Sequence, residues 1–170
     1  MASLMDDLLD VIEKEDNHYR RLIALSTEKK DAIVGSDIRK LEEITNEEQE
    51  VTSILKNLET KRTEVLGDMA VVLNQDPETL TVQKMITLLE KQPKEQKALS
   101  DLRDRLRHTL DEMSTVNEQN RILLEQALEM VNFDLTLFKS LRQAPETANY
   151  DKNAYNTGEL LGSSGFDAKQ

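Results

Sequence analysis

One pair of residues has the spacing of a metal site. Glu15 and His18 match the Glu-x-x-His pattern with which helical bundles hold a pair of iron ions. A complete site needs a second copy of that pattern and two further glutamates from other helices. The only other histidine, His108, has Arg105 three residues before it instead of a glutamate. The sequence therefore predicts no metal site.

The other residue patterns of enzymes are missing as well. With no cysteine, the chain has no thiolate ligand, no thiol nucleophile and no disulfide. No pair of glycines stands at a predicted helix start, where a phosphate-binding loop would need them. A nucleophile that is activated by histidine needs a rigid pocket, which long paired helices do not offer. We therefore predict that the protein is not an enzyme and uses no cofactor.

The composition is typical of long, solvated helices. Charged residues make up 32% of the chain and aromatic residues 4%, with only five glycines and three prolines. The net charge is −11, and no run of basic residues is longer than two. This charge pattern disfavours binding to nucleic acid or to an anionic membrane surface.

The sequence predicts neither a secretory signal nor a membrane-spanning segment. No stretch approaches the roughly 20 apolar residues that a membrane-spanning helix needs. The opening MASLMDDLLD is acidic, whereas a secretory signal begins with basic residues. The absence of cysteine fits a reducing compartment. We expect a cytoplasmic protein without stable membrane insertion.

Two long helices are predicted in the first half of the chain. A stripe of positions spaced 3 and 4 residues apart runs through residues 5–33, and a second runs through residues 41–72. Between them, Gly35, Ser36 and Asp37 are residues that end one helix and begin another. So short a connection predicts an antiparallel hairpin.

Two layers of this hairpin contain charged residues. Lys29 and Glu48 have the same index sum as Glu15 and Arg62, so one antiparallel register can place both pairs side by side. One interpretation is that these ion pairs determine the register while contributing little energy. The alternative is that each side chain extends outward to water.

The second half of the chain predicts one short and one very long helix. Residues 74–77 contain Asp76 and Pro77, which are typical of a helix start, and Thr81 could cap a short helix to residue 91 that covers one end of the bundle. The last helix is expected over residues 94–142, with Pro145 ending it. Residues 145–170 lack apolar periodicity and are expected to form a flexible tail. The sequence thus predicts an all-α, elongated antiparallel bundle or coiled coil over residues 1–144.

The last helix has apolar residues on two sides. Eleven of the 22 residues in 117–138 are apolar. The seam that should face the bundle continues through Leu124, Ala127, Leu128, Val131, Leu135 and Phe138. A second face, roughly opposite, consists of Ile122, Met130, Phe133 and Leu137, bordered by Leu141. One interpretation is that the tail, residues 82–91 or a second copy of the protein covers this second face, and the other is that it is an exposed groove for a partner helix. Both can hold if the tail or a second copy covers the face until a client displaces it.

Two asparagines lie on the seam just before this region. A seam asparagine commonly determines the register of a coiled coil at some cost in stability, and this is the favoured interpretation of Asn117 and Asn120. The alternative is that they bond to the backbone of a kinked partner helix.

Three segments carry a resemblance to a known family. They are LLDVIEKEDNHYRRLIALSTEKKDAIVGSDIRKLEEI at the start, NEQNRILLEQALEMVNFDLTLF in the last helix and NYDKNAYNTGEL in the tail. In this order they resemble the FlgN family of bacterial flagellar export chaperones, over residues 5–160. The resemblance implies a small acidic cytoplasmic protein that binds hook-associated proteins of the hook–filament junction. It would bind their C-terminal segments, keep them competent for export and deliver them to the flagellar type III export apparatus.

The resemblance also implies where the partner binds. The family's chaperone surface lies in the C-terminal half, which by position corresponds to Ile122, Met130, Phe133 and Leu137, and less directly to Tyr150 and Tyr155. Two other hypotheses remain open. One is a structural coiled-coil adaptor whose second face is buried in a permanent homodimer, and the other is a chaperone for another flagellar subunit, such as the filament cap. A chaperone should leave the second face exposed or loosely covered.

Overall fold

The fold consists of four α-helices. A computed structural model describes the backbone of residues 1–164 and the side chains of residues 1–142. The helices are α1 (Ala2–Val34), α2 (Ile38–Val72), α3 (Val82–Leu88) and α4 (Pro93–Ser164), and the described residues contain no strand. The predicted all-α class is confirmed. The chain divides into two compact units, Met1–Leu124 and Glu125–Gln170.

The turn between α1 and α2 lies where it was predicted. The backbone N–H of Gly35 donates to Asp31 O at 2.9 Å and closes the last turn of α1. Ser36 has a φ of 53°, so the left-handed residue is the serine and not the glycine. The Asp37 carboxylate then accepts a hydrogen bond from Lys40 N at 3.0 Å and caps the start of α2.

Both predicted ion pairs form across this hairpin. Lys29 Nζ lies 2.7 Å from Glu48 Oε2, and Arg62 Nη1 lies 2.8 Å from Glu15 Oε2. The two pairs are about 14 residues apart along α1, so together they exclude a shifted register over much of the hairpin. The prediction that each pair lies within contact distance, based on a shared index sum, is confirmed.

The apolar core of the first unit has two parts. The first core cluster unites all four helices, and the second core cluster contains buried residues of α1 and α2 only. The first consists of Met5, Leu8, Ile12, Val65, Leu66, Met69, Ala70, Leu80, Met85, Ile86, Leu89 and Leu99, and the second of Leu25, Ala32, Ile44, Val51 and Leu55. Helix α4 therefore joins the apolar core near its own start.

The short helix closes the first core cluster. Thr81 accepts a hydrogen bond from Lys84 N at 3.2 Å and caps α3, as predicted. Met85 and Ile86 of α3 are both buried in the first core cluster. Two details differ from the prediction. Asp76 starts a turn, accepting from Glu78 N at 3.0 Å, and does not cap a helix. Helix α3 ends at Leu88, three residues early.

Helix α4 ends later than the sequence predicted. Its backbone continues through Pro145 to Ser164, so the expected end at residues 144–145 is wrong. A proline inside a helix removes one backbone hydrogen bond and crowds the preceding turn, which costs about 3 kcal/mol, but helical backbone can continue on either side of it. The expected flexibility of residues 145–170 stays a prediction, because side chains from residue 143 onward and all of 165–170 lie outside the described residues.

Candidate partner-binding surface

The predicted second face is exposed. In the second unit, Met130, Phe133, Leu137 and Leu141 have between 52% and 67% of their surface exposed. Ile122, in the first unit, is 43% exposed. Tyr150 and Tyr155 were predicted to take part as well, but their side chains lie outside the described residues. Four large apolar side chains on one helix thus remain accessible to a partner.

The predicted seam does not continue as a buried stripe. Leu128, Val131, Leu135 and Phe138 are 53% to 61% exposed, which is as much as the second face. Leu124 is 39% exposed. The prediction that Leu124 and the residues after it form core is therefore wrong. Both sides of this part of α4 are accessible.

The side-chain hydrogen bonds between α1 and α4 in the first unit reach as far as Ser26 of α1. Within the first unit, α4 is held to α1 first by apolar contacts near Leu99 and then by side-chain hydrogen bonds that reach Ser26. Helix α1 ends at Val34, only eight residues beyond Ser26. The 3-and-4 spacing of α4 continues into residues that are exposed, and spacing alone cannot reveal where burial ends.

The contacts of Asn117 and Asn120 combine the two predicted roles. Asn120 Nδ2 donates to the backbone oxygen of Ser26 at 2.7 Å, and Ser26 Oγ donates to Asn117 Oδ1 at 3.1 Å. Asn120 thus bonds to the backbone of its partner helix, which is one continuous helix with Ser26 inside it. Because both asparagines bond to Ser26, they also align α4 with α1 at this position along the two helices.

An open cavity of about 380 Å³ lies beside these contacts. Residues of α1, α2 and α4 line it, among them Leu22, the Lys29–Glu48 pair and Asn120. The Asn120 carboxamide oxygen is buried and accepts no hydrogen bond from the described residues. The contact between α1 and α4 is therefore polar and loosely packed here, unlike the first core cluster.

Comparison with known proteins decides the family. The family model described as FlgN protein matches residues 1–158 of the chain. The chain belongs to the FlgN family. Searches of curated proteins and of solved structures returned no match. The resemblance in the three sequence segments is thereby confirmed, and the family's general role is that of a flagellar export chaperone.

The sequence did not reveal a buried polar contact of this FlgN chain. Asp16 is fully buried and accepts a hydrogen bond from Thr109 Oγ1 at 2.6 Å. Its other carboxylate oxygen lies 3.0 Å from Arg20 Nε and 3.4 Å from Arg105 Nε, without hydrogen-bond geometry. Two guanidinium groups thus balance its charge. The only signal in the sequence is the Asp16–Arg20 spacing, which exposed helices share.

Glu15, the residue with metal-ligand spacing, forms the ion pair with Arg62 across the hairpin. Its carboxylate is buried, and burial raises its pKa above the ordinary value, while the nearby Arg62 guanidinium opposes the rise. Among the described residues of this FlgN chain, no group of three or more acidic, histidine or cysteine side chains could hold a metal ion. In the same part of the chain, no helix is both long and apolar enough to span a membrane.

Proposed function

We propose that this FlgN-family protein is a cytoplasmic export chaperone for hook-associated proteins of the hook–filament junction. It would bind their C-terminal segments, keep them competent for export and deliver them to the flagellar type III export apparatus. The observation that supports this proposal is the exposed second face of α4. Apolar side chains that are more than half exposed, and that lie on one side of a helix, are the usual docking surface for an amphipathic partner helix.

The residue types of the second face suit such a partner. Met130 has a flexible, polarisable side chain that adapts to different apolar surfaces. Phe133 offers a large rigid ring of the kind that dominates binding energy at interfaces. Leu137 and Leu141 continue the face by steps of four residues, so a partner helix would meet it over several turns. The chaperone can thus cover a client segment that would otherwise self-associate.

The test is a titration of the full chain with the C-terminal segment of a hook-associated protein. Phe133→Asp should weaken binding by at least about 30-fold, because a charge would replace a central apolar anchor. Its melting temperature should stay close to that of the unchanged protein, since Phe133 is 64% exposed. Thr136→Asp is the matched control, because it adds the same charge to an exposed position between the two apolar faces.

Two outcomes would contradict the proposal. If Phe133→Asp binds the client segment as well as the unchanged chain does, the client binds elsewhere, and Tyr150 and Tyr155 become the next residues to substitute. If no hook-associated segment binds at all, the proposed client class is wrong and a different client must be sought. Co-purification from a flagellated bacterium followed by mass spectrometry would then identify that client.

A further inference from the structure

The part of the predicted seam that belongs to the second unit lies on a different side of α4 from the second face. It consists of Leu128, Val131, Leu135 and Phe138, called here the heptad face. The steps between them are 3, 4 and 3 residues, which is the spacing of a helix that packs along another helix. Each of the four is more than half exposed, and all four belong to the second unit. The heptad face therefore has the pattern of a helix-pairing surface without a covering helix in the described chain.

The charges around the heptad face indicate what could cover it. The acids Glu125 and Glu129 stand at its start, and the bases Lys139 and Arg142 stand at its end. The Arg142 guanidinium lies 5.8 Å from the centre of the Phe138 ring, so this positive charge sits at the heptad face itself. If a second copy ran in the opposite direction, the acidic start of the heptad face of each copy would lie beside the basic end of the heptad face of the other. A copy in the same direction would place Arg142 against its own counterpart.

We propose that two copies of this chain associate through the heptad face, with the two helices antiparallel. One register places Leu128 opposite Phe138 and Val131 opposite Leu135, because these two pairs share one index sum. The same rule identified the two ion pairs of the hairpin, which lie at 2.7 and 2.8 Å. The proposal goes beyond client binding, because it uses a different side of α4 and does not depend on a client.

The flanking residues determine how strong this association is. In the proposed register, Glu125 of one copy lies beside Lys139 of the other, which gives two favourable pairs. Asp134 lies close to the twofold axis and faces the Asp134 of the second copy, which opposes association. The balance predicts a weak dimer that forms and separates with concentration. In a parallel pair, by contrast, Asp134 would lie beside Lys139 and would favour association.

The first experiment is sedimentation equilibrium of the full chain over a range of concentrations. A monomer–dimer equilibrium is expected. Leu135→Asp should weaken the dimer by at least about 100-fold, because each dimer would bury two unpaired charges. Phe133→Asp, the matched control on the second face, should leave the equilibrium unchanged. A chain that stays monomeric at all concentrations, or a dimer that Leu135→Asp does not weaken, would overturn the proposal.

The second experiment tests the direction of pairing. Asp134→Asn should tighten an antiparallel dimer by relieving repulsion, whereas it should weaken a parallel dimer by removing an attractive pair. Because the chain has no cysteine, single cysteines can be introduced without background. Asn132→Cys, near the twofold axis, should be linked by a short thiol crosslinker. Ala127→Cys should not, since the two copies of residue 127 would be about 18 Å apart along the helices. A crosslink at residue 127 or a weaker Asp134→Asn dimer would refute the antiparallel arrangement.

Discussion

Two leucines on the predicted stripe of α4 should respond very differently to truncation. Leu99 is fully buried in the first core cluster, which also contains residues of helices α1, α2 and α3. Leu135 lies on the same predicted stripe but is 53% exposed. We therefore compare Leu99→Ala with Leu135→Ala, two changes that remove the same atoms from the same helix.

The burial of each leucine determines the expected size of the effect. Leu99→Ala loses a fully buried side chain and leaves a cavity, which should lower the free energy of unfolding by about 3 kcal/mol. For a chain of this length, that loss corresponds to a fall in melting temperature of about 6–12 °C. Leu135→Ala should change the free energy of unfolding by less than about 0.5 kcal/mol, as exposed substitutions usually do.

The assay is thermal unfolding followed by circular dichroism, at a protein concentration low enough to keep the chain monomeric. If Leu135→Ala melts as low as Leu99→Ala under these conditions, the heptad face is buried in the free monomer, and the argument from exposure is wrong. If Leu135→Ala lowers the melting temperature only at high protein concentration, the lost stability comes from dimer formation. Urea unfolding of the two variants provides an independent measure of the same free energies.

Three further predictions concern the hairpin and the end of the chain. Lys29→Glu should lower the free energy of unfolding in urea by about 1 kcal/mol, because it places two acids together. Adding Glu48→Lys should restore most of that free energy, and no restoration would mean that the pair does not form. Burial raises the pKa of Glu15 above 4.5, so the ionised form of this side chain opposes folding. The stability of the unchanged protein relative to Glu15→Gln should therefore be largest below pH 4.5 and should fall as the pH rises through the raised pKa. The opposite trend in paired thermal melts would refute this prediction. In hydrogen exchange of the free monomer, amides of residues 146–164 should exchange faster than those of residues 99–120, because the sequence after Pro145 lacks an apolar period. Equal protection of the two stretches would show that residues 146–164 are packed.

Local patterns in the sequence determine much of the fold of this protein. The 3-and-4 spacing and the near absence of glycine and proline indicate long helices, since these features act within a few residues of one another. The turn at residues 35–37 and the cap at Thr81 were predictable for the same reason, because capping is a local hydrogen bond. The partners of Lys29 and Glu15 were predictable as well, because an antiparallel hairpin with a short turn has one register.

Only the tertiary structure decided which apolar residues of α4 are buried. Leu99 and Leu135 look alike in sequence, but Leu99 is fully buried in the first core cluster, which contains residues of all four helices, whereas Leu135 is 53% exposed. The buried Asp16–Thr109 contact was hidden for a related reason, since the two residues are 93 positions apart and an isolated aspartate resembles a solvated one. Sequence periodicity indicates that a side chain faces a partner, whereas burial depends on whether a partner is present at that height.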